Sequence, residues 1–200
     1  MKNKIFVTFL FIFFLSFFQN ESKAYSNDPK QFIAEIVEKA KKILVATNSK
    51  ETKEVKLSEI ALKTADIKGI GFYTLGKYRK TLNEDQLEEY AILFEKYFLK
   101  SFTSRLSDYS DPKIEVISAD IINPKYTIVR SVLLSTAKKP EVKIDWRVYT
   151  KNPENPLIRD LIIEGLSLAR TQKAEFASVI ESNNGDVTKL FETLKAFIKK

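Results

Sequence analysis

The sequence predicts a single α+β domain in which an antiparallel four-stranded sheet is packed with N- and C-terminal helices. Two observations carry this. The apolar residues recur at helical spacing at both ends of the chain, and a block in between alternates at strand spacing with turn residues at short intervals.

Ahead of the domain, Lys2 and Lys4 precede an almost wholly apolar run from Ile5 to Phe18, then a polar stretch closing on Ser22-Lys23-Ala24. As a helix this run would rise roughly 21 Å, short of a ~30 Å hydrocarbon core. Residues 1–24 therefore read as a cleavable secretory signal rather than a permanent anchor, leaving 25–200 as the mature domain. There is no cysteine, so neither a lipid-modified cysteine nor a disulfide scaffold is available. There is no histidine, which removes the commonest general acid/base and metal ligand. The formal net charge is +7. Its lysines mix with glutamates along the chain and fit solvated helix faces or attraction to acidic headgroups. No motif that reads nucleic acid occurs.

Asp28-Pro29-Lys30-Gln31 predicts a helix start, with Asp28 as cap, Pro29 in the first turn and Gln31 placed for a capping box. Phe32, Ile33, Ile36, Val37, Ala40, Ile43 and Leu44 form its stripe. A shorter helix is expected from about Lys56 to Asp66. Gly69, Gly71 and Gly76 then predict a loosened stretch between turns. A long helix follows from Thr81 or Asn83 to about Asp108, and Tyr90, Phe94, Phe98, Phe102 and Leu106, each four residues apart, make one aromatic ridge along it.

Strands are expected at 113–122, 126–136, 142–150 and 157–164, separated by Asn123-Pro124, Lys138-Lys139-Pro140 and Asn152-Pro153-Glu154-Asn155-Pro156. Short links between consecutive strands imply an antiparallel meander. A helix from about Leu168 to Glu181 ends at Asn183-Asn184-Gly185. Asp186 caps a last helix striped by Leu190, Leu194, Phe197 and Ile198.

Catalytic motifs are absent: there is no phosphate loop, nucleophile elbow or metal-ligand cluster, so no catalytic or metal residues are assigned. Asp160 with Glu164, or Asp145 with either, could form a carboxylate pair, yet Arg147, Arg159 and neighbouring lysines supply structural partners for all three. The aromatic ridge fits a closed core equally with an apolar cavity able to bury acyl chains at about 0.8 kcal/mol per methylene. Periodicity leaves both open.

Three stretches resemble one family, the MlaC (toluene-tolerance) proteins. Thr74-Leu75-Gly76-Lys77-Tyr78-Arg79-Lys80-Thr81 resembles an LG-x-Y segment, with Arg79 where an aromatic is usual. Phe94-Glu95-Lys96-Tyr97-Phe98 through Leu106 and Tyr109 resembles the helix after it, with Phe102 in place of a common Tyr. Val142-Lys143-Ile144-Asp145-Trp146-Arg147-Val148, followed by Ile158 to Phe176 with Glu164-Gly165-Leu166-Ser167 inside it, is similar to the C-terminal signature. Asn184-Gly185 stands for its double glycine. The resemblance spans about residues 28–198.

It implies a nuclear-transport-factor-2-like sheet packed with helices around an apolar pocket. It further implies a non-enzymatic periplasmic carrier holding phospholipid as cargo, without cofactor. Its partners would be an inner-membrane Mla-type ABC transporter and an outer-membrane MlaA-type lipoprotein with porin, and its role the upkeep of outer-membrane lipid asymmetry. Leu75, Phe98, Phe102, Leu106, Val142, Ile144, Trp146 and Leu166 are the lipid-lining candidates. Asp145, Arg147, Asp160 and Glu164 are read as structural ion pairs. A monomer is expected, and the rival reading is an exported enzyme of the same fold acting on a small apolar substrate through an Asp or Tyr in the pocket.

Overall fold

The computed structural model describes residues 25–136 and 140–200. The signal expected at 1–24, and with it the mature boundary, lies outside the described residues, as does most of the turn at 138–140. Among the described residues no helix is long and apolar enough to cross a membrane.

Helix α1 (Pro29–Val45) starts as its sequence dictates: Asp28 Oδ1 accepts the Gln31 N–H at 2.8 Å. The reciprocal half of the box is absent, because the Gln31 amide turns to Glu35 and the Asp28 N–H is served by Ser26 Oγ. Helix α2 (Lys50–Thr64) begins earlier than the apolar pattern suggested, since Ser49 accepts the Thr52 N–H and supports a polar first turn.

The stretch expected to be loosened by glycines is instead helix α3 (Ile67–Leu75). Its glycines serve close approach. A Cβ on Gly69 would lie 2.3 Å from the carboxylate of the N-cap Asp66, and one on Gly71 would lie 2.7 Å from the Phe94 ring. Gly76, at φ +57, ends α3 and opens a 3-10 turn, Gly76–Lys80. Helix α4 (Glu84–Leu106) carries a complete capping box between Asn83 and Gln86.

The sheet contains β1 (Ile114–Asn123), β2 (Tyr126–Leu133), β3 (Val142–Tyr149), β4 (Leu157–Ile163) and β5 (Leu166–Ser167), ordered as in the chain and antiparallel throughout. Five strands thus replace the expected four. Glu164 (φ 49) and Gly165 (φ 81) make a two-residue turn that folds Leu166 and Ser167 back on β4, a hairpin too short to leave an alternating pattern. The outer edge is β1, where Ile117, Ile121 and Ile122 are exposed and the register shifts twice. Helices α5 (Leu168–Glu181) and α6 (Thr188–Lys199) close the chain.

Packing yields two apolar clusters. One is helical, joining α3, α4, α5 and α6 around Tyr90, Phe94, Phe176, Ile180 and Leu190. The other sets Phe32, Ile33, Ile36 and Val37 of α1 on one face of the sheet at Val129, Trp146, Val148 and Ile158. Ala65 packs against both, and a bridge from Ala65 to Ile158, with the Asp66 N–H donating to the Ile158 carbonyl at 2.9 Å, pins the α2–α3 junction to β4.

Because α3 meets α4 through a missing Cβ, Gly71→Ala is expected to lose about 1–3 kcal/mol of stability despite its better helix propensity. The urea midpoint would fall accordingly; an unchanged midpoint would place the two helices further apart.

Candidate functional site

One face of the sheet is apolar by register. Val129 opposes Trp146, Ser131 opposes Ile144 and Leu133 opposes Val142, while Trp146 opposes Leu161 and Ile144 opposes Ile163. Ile163 in turn opposes Leu166. Under α1 this face is dry, with Val129 and Val148 fully buried. Away from α1 it opens, and Leu133, Val142, Ile144, Leu161 and Ile163 are only half-buried. The row ends at Leu166, 59% exposed. Trp146 holds the boundary: its Nε1 donates to Ser131 Oγ at 2.9 Å, and that hydroxyl donates to the Ile144 carbonyl at 2.9 Å, so the buried polar atoms are satisfied.

The ridge on α4 changes in the same manner. Tyr90 and Phe94 lie in the helical cluster, their rings 5.9 Å apart, with the Tyr90 hydroxyl 2.8 Å from Thr74 Oγ1. Phe98 and Phe102, stacked at 5.7 Å, and then Leu106 are half-buried. Burial pushes the Tyr90 phenol far above its ordinary 10.0, the hydrogen bond to Thr74 opposing this in part.

The eight residues singled out from the sequence thus fall into separate places. Val142, Ile144, Trp146 and Leu166 share the apolar sheet face. Phe98 and Phe102 touch each other on α4, with Leu106 one turn beyond. Leu75 is 1% exposed inside the helical cluster. Leu133, Leu161 and Ile163 complete the sheet strip but were not singled out. Their signal was cross-strand alternation, masked in β4 by the consecutive apolar run Leu161-Ile162-Ile163 and by an irregularity opposite Arg147 and Val148.

The charged residues of these motifs bind the protein to itself. Asp160, 5% exposed, accepts the Ser167 hydroxyl at 2.6 Å, the Ala169 N–H at 3.0 Å and Arg147 Nη1 at 3.4 Å, so a sheet carboxylate caps the start of α5. Glu164 forms no ion pair among the described residues; it occupies the turn, and its carboxylate takes the Lys143 N–H. Asp145 forms none among the described residues. The second pair is instead Arg159 with Asp66, Nε to Oδ2 at 2.7 Å, with the guanidinium also reaching the Tyr126 hydroxyl and lying 3.7 Å above the Tyr149 ring. Among the described residues no three Asp or Glu side chains gather as a metal site would require.

An open antiparallel sheet whose apolar face is only half-buried beyond α1, together with a long helix bearing half-buried rings, defines an α+β domain with apolar surface left accessible among the described residues. Residues 17–196 match the family model described as MlaC protein, nearly the whole sequence, and the chain belongs to the MlaC family. Among solved structures it is similar to the phospholipid-binding protein from Ralstonia solanacearum determined in complex with a phospholipid. The TM-score is 0.70 at 21% identity, over 84% of this chain and 94% of that one, which establishes the shared fold. No curated protein matches the sequence.

Two outcomes follow. Asp160→Ala should cost about 3 kcal/mol in urea unfolding by stranding the Ser167 hydroxyl and the Ala169 N–H, with Asp160→Asn losing less. For Tyr90 the folded phenol pKa lies above the unfolded one. Stability is therefore unaffected well below pH 10 and falls as pH climbs through the ordinary value toward the folded one. In thermal melts Tyr90→Phe should flatten that alkaline decline.

Proposed function

We propose that the chain is a phospholipid carrier that holds acyl tails against the half-buried apolar strip and releases them on docking, without covalent chemistry. The observation that carries the reading is the row of half-buried Ile144 and Ile163 running out to exposed Leu166, continuous with a packed core yet open at one end among the described residues. Family membership supports it, as does the fold shared with a protein whose structure contains a phospholipid. Val142, Ile144 and Trp146 would form one wall and Phe98, Phe102 and Leu106 the other, with Leu75 at the closed end and Leu166 at the rim. Each buried methylene contributes about 0.8 kcal/mol, so two long chains offset much of the cost of leaving a bilayer.

The setting belongs to the same reading. Residues 1–24 direct export to the periplasm, and the mature domain 25–200 works as a monomer, with phospholipid as cargo rather than cofactor. It exchanges lipid with an inner-membrane Mla-type ABC transporter and an outer-membrane MlaA-type lipoprotein with porin. Of the Asp and Tyr side chains that the rival enzyme reading could draw on, Asp160 is engaged in capping α5 and Tyr90 with Thr74 in the helical cluster.

Native mass spectrometry of the purified protein, followed by organic extraction, tests this directly. Co-purifying phospholipid is expected, and Phe102→Glu should strip most of it while leaving the circular dichroism spectrum unchanged. A protein free of lipid under mild conditions would overturn the carrier reading. Unaltered occupancy in Phe102→Glu would remove α4 from the binding wall.

A further inference from the structure

An open cleft of about 710 Å³ between α1, α2 and the β3–β4 turn lies apart from the apolar strip. Its floor is apolar, with Phe32, Ile43 and Ile60. Its rim carries four exposed lysines, Lys39 and Lys42 from α1 and Lys56 and Lys63 from α2, against two carboxylates, Glu59 and Glu154. None of the four lysines forms an ion pair among the described residues, whereas Lys50, Lys77, Lys189 and Lys195 do. Lys39 instead lies 3.6 Å above the Tyr25 ring, and Glu154 accepts from the Asn27 amide.

A second observation concerns the same helix pair. Val55 and Leu62 of α2 are 60% and 49% exposed and, two turns apart, lie on one side of the helix, each immediately followed by a rim lysine. Protruding aliphatic side chains beside unpaired ammonium groups suit a polar surface with negative charge outside and hydrocarbon just beneath it.

We propose that the α1–α2 face is a docking site for anionic phospholipid membrane surfaces, in which Lys39, Lys42, Lys56 and Lys63 meet headgroup phosphates and Val55 and Leu62 enter the interface. It stands apart from the cargo reading, because none of these residues lies on the apolar sheet strip or the α4 ridge. Each lysine held near such a surface strengthens partition by about fivefold, so the four together dominate binding at low salt.

The experiment is co-sedimentation of the purified protein with phosphatidylcholine vesicles, with and without phosphatidylglycerol. Binding is expected only with phosphatidylglycerol and should vanish near ~1 M salt, where the screening length falls to about 3 Å. Replacing Lys39, Lys42, Lys56 and Lys63 together by Gln should weaken partition at least ~100-fold. A charge-matched control, with Lys68, Lys80, Lys96 and Lys113 replaced by Gln, should retain it, and Leu62→Ser should weaken it at constant charge. Circular dichroism and extracted-lipid content, both expected unchanged, report folding and cargo separately. Equal binding to both vesicle types, no binding to either, or equal loss in the control would overturn the proposal.

Discussion

Asp160 is a carboxylate buried in a sheet, and what it binds sets how the two halves of the molecule meet. It takes the hydroxyl of Ser167, which itself caps α5, and the N–H of Ala169, so β4 and the helix after it are locked at one point. Arg147, from the neighbouring strand, supplies the compensating charge. With α5 oriented in this way, Phe176 and Ile180 reach α4, and the helical cluster can form. A buried charge is costly unless its lone pairs are filled, and here they are. A motif rich in acidic and basic residues is therefore spent on architecture, which leaves the apolar side of the same strands uncommitted.

Much of this was legible in the residues. Asp28-Pro29, Asn83-Glu84-Asp85-Gln86 and Asn183-Asn184-Gly185 announce helix ends through local hydrogen bonding, which depends little on tertiary context. Alternation in 142–149 set the two faces of β3 correctly. What escaped was governed by packing or brevity. Gly69 and Gly71 look like loop residues, yet they permit a helix to approach its own cap and the Phe94 ring. The β5 hairpin consists of two residues, and Ser49 as a cap sits ahead of a polar turn that no apolar stripe could reveal.

The candidate site was legible as a composition rather than a place. A four-residue step of aromatics places Phe98 and Phe102 on one ridge with Phe94, but spacing carries no information about depth. The same pattern describes Phe94, sealed in the core, and Phe102, half open. Depth depends on where α1 stops covering the sheet and where α5 and α6 stop covering α4, and those limits are set by contacts distant in sequence.

The outer edge of the sheet, β1, has a consequence of its own. A ten-residue strand whose outer margin pairs with no other strand among the described residues, and with exposed isoleucines at 117, 121 and 122, is a template on which another copy could add its own strand. Two shifts of register break the margin into short lengths, and Glu115 and the Asp120–Arg130 ion pair place charged groups along it. A foreign strand would find no run of evenly spaced donors and acceptors long enough to zip. Irregular register and charge at this margin thus work against edge-to-edge pairing at the backbone, independently of how many apolar side chains stay covered.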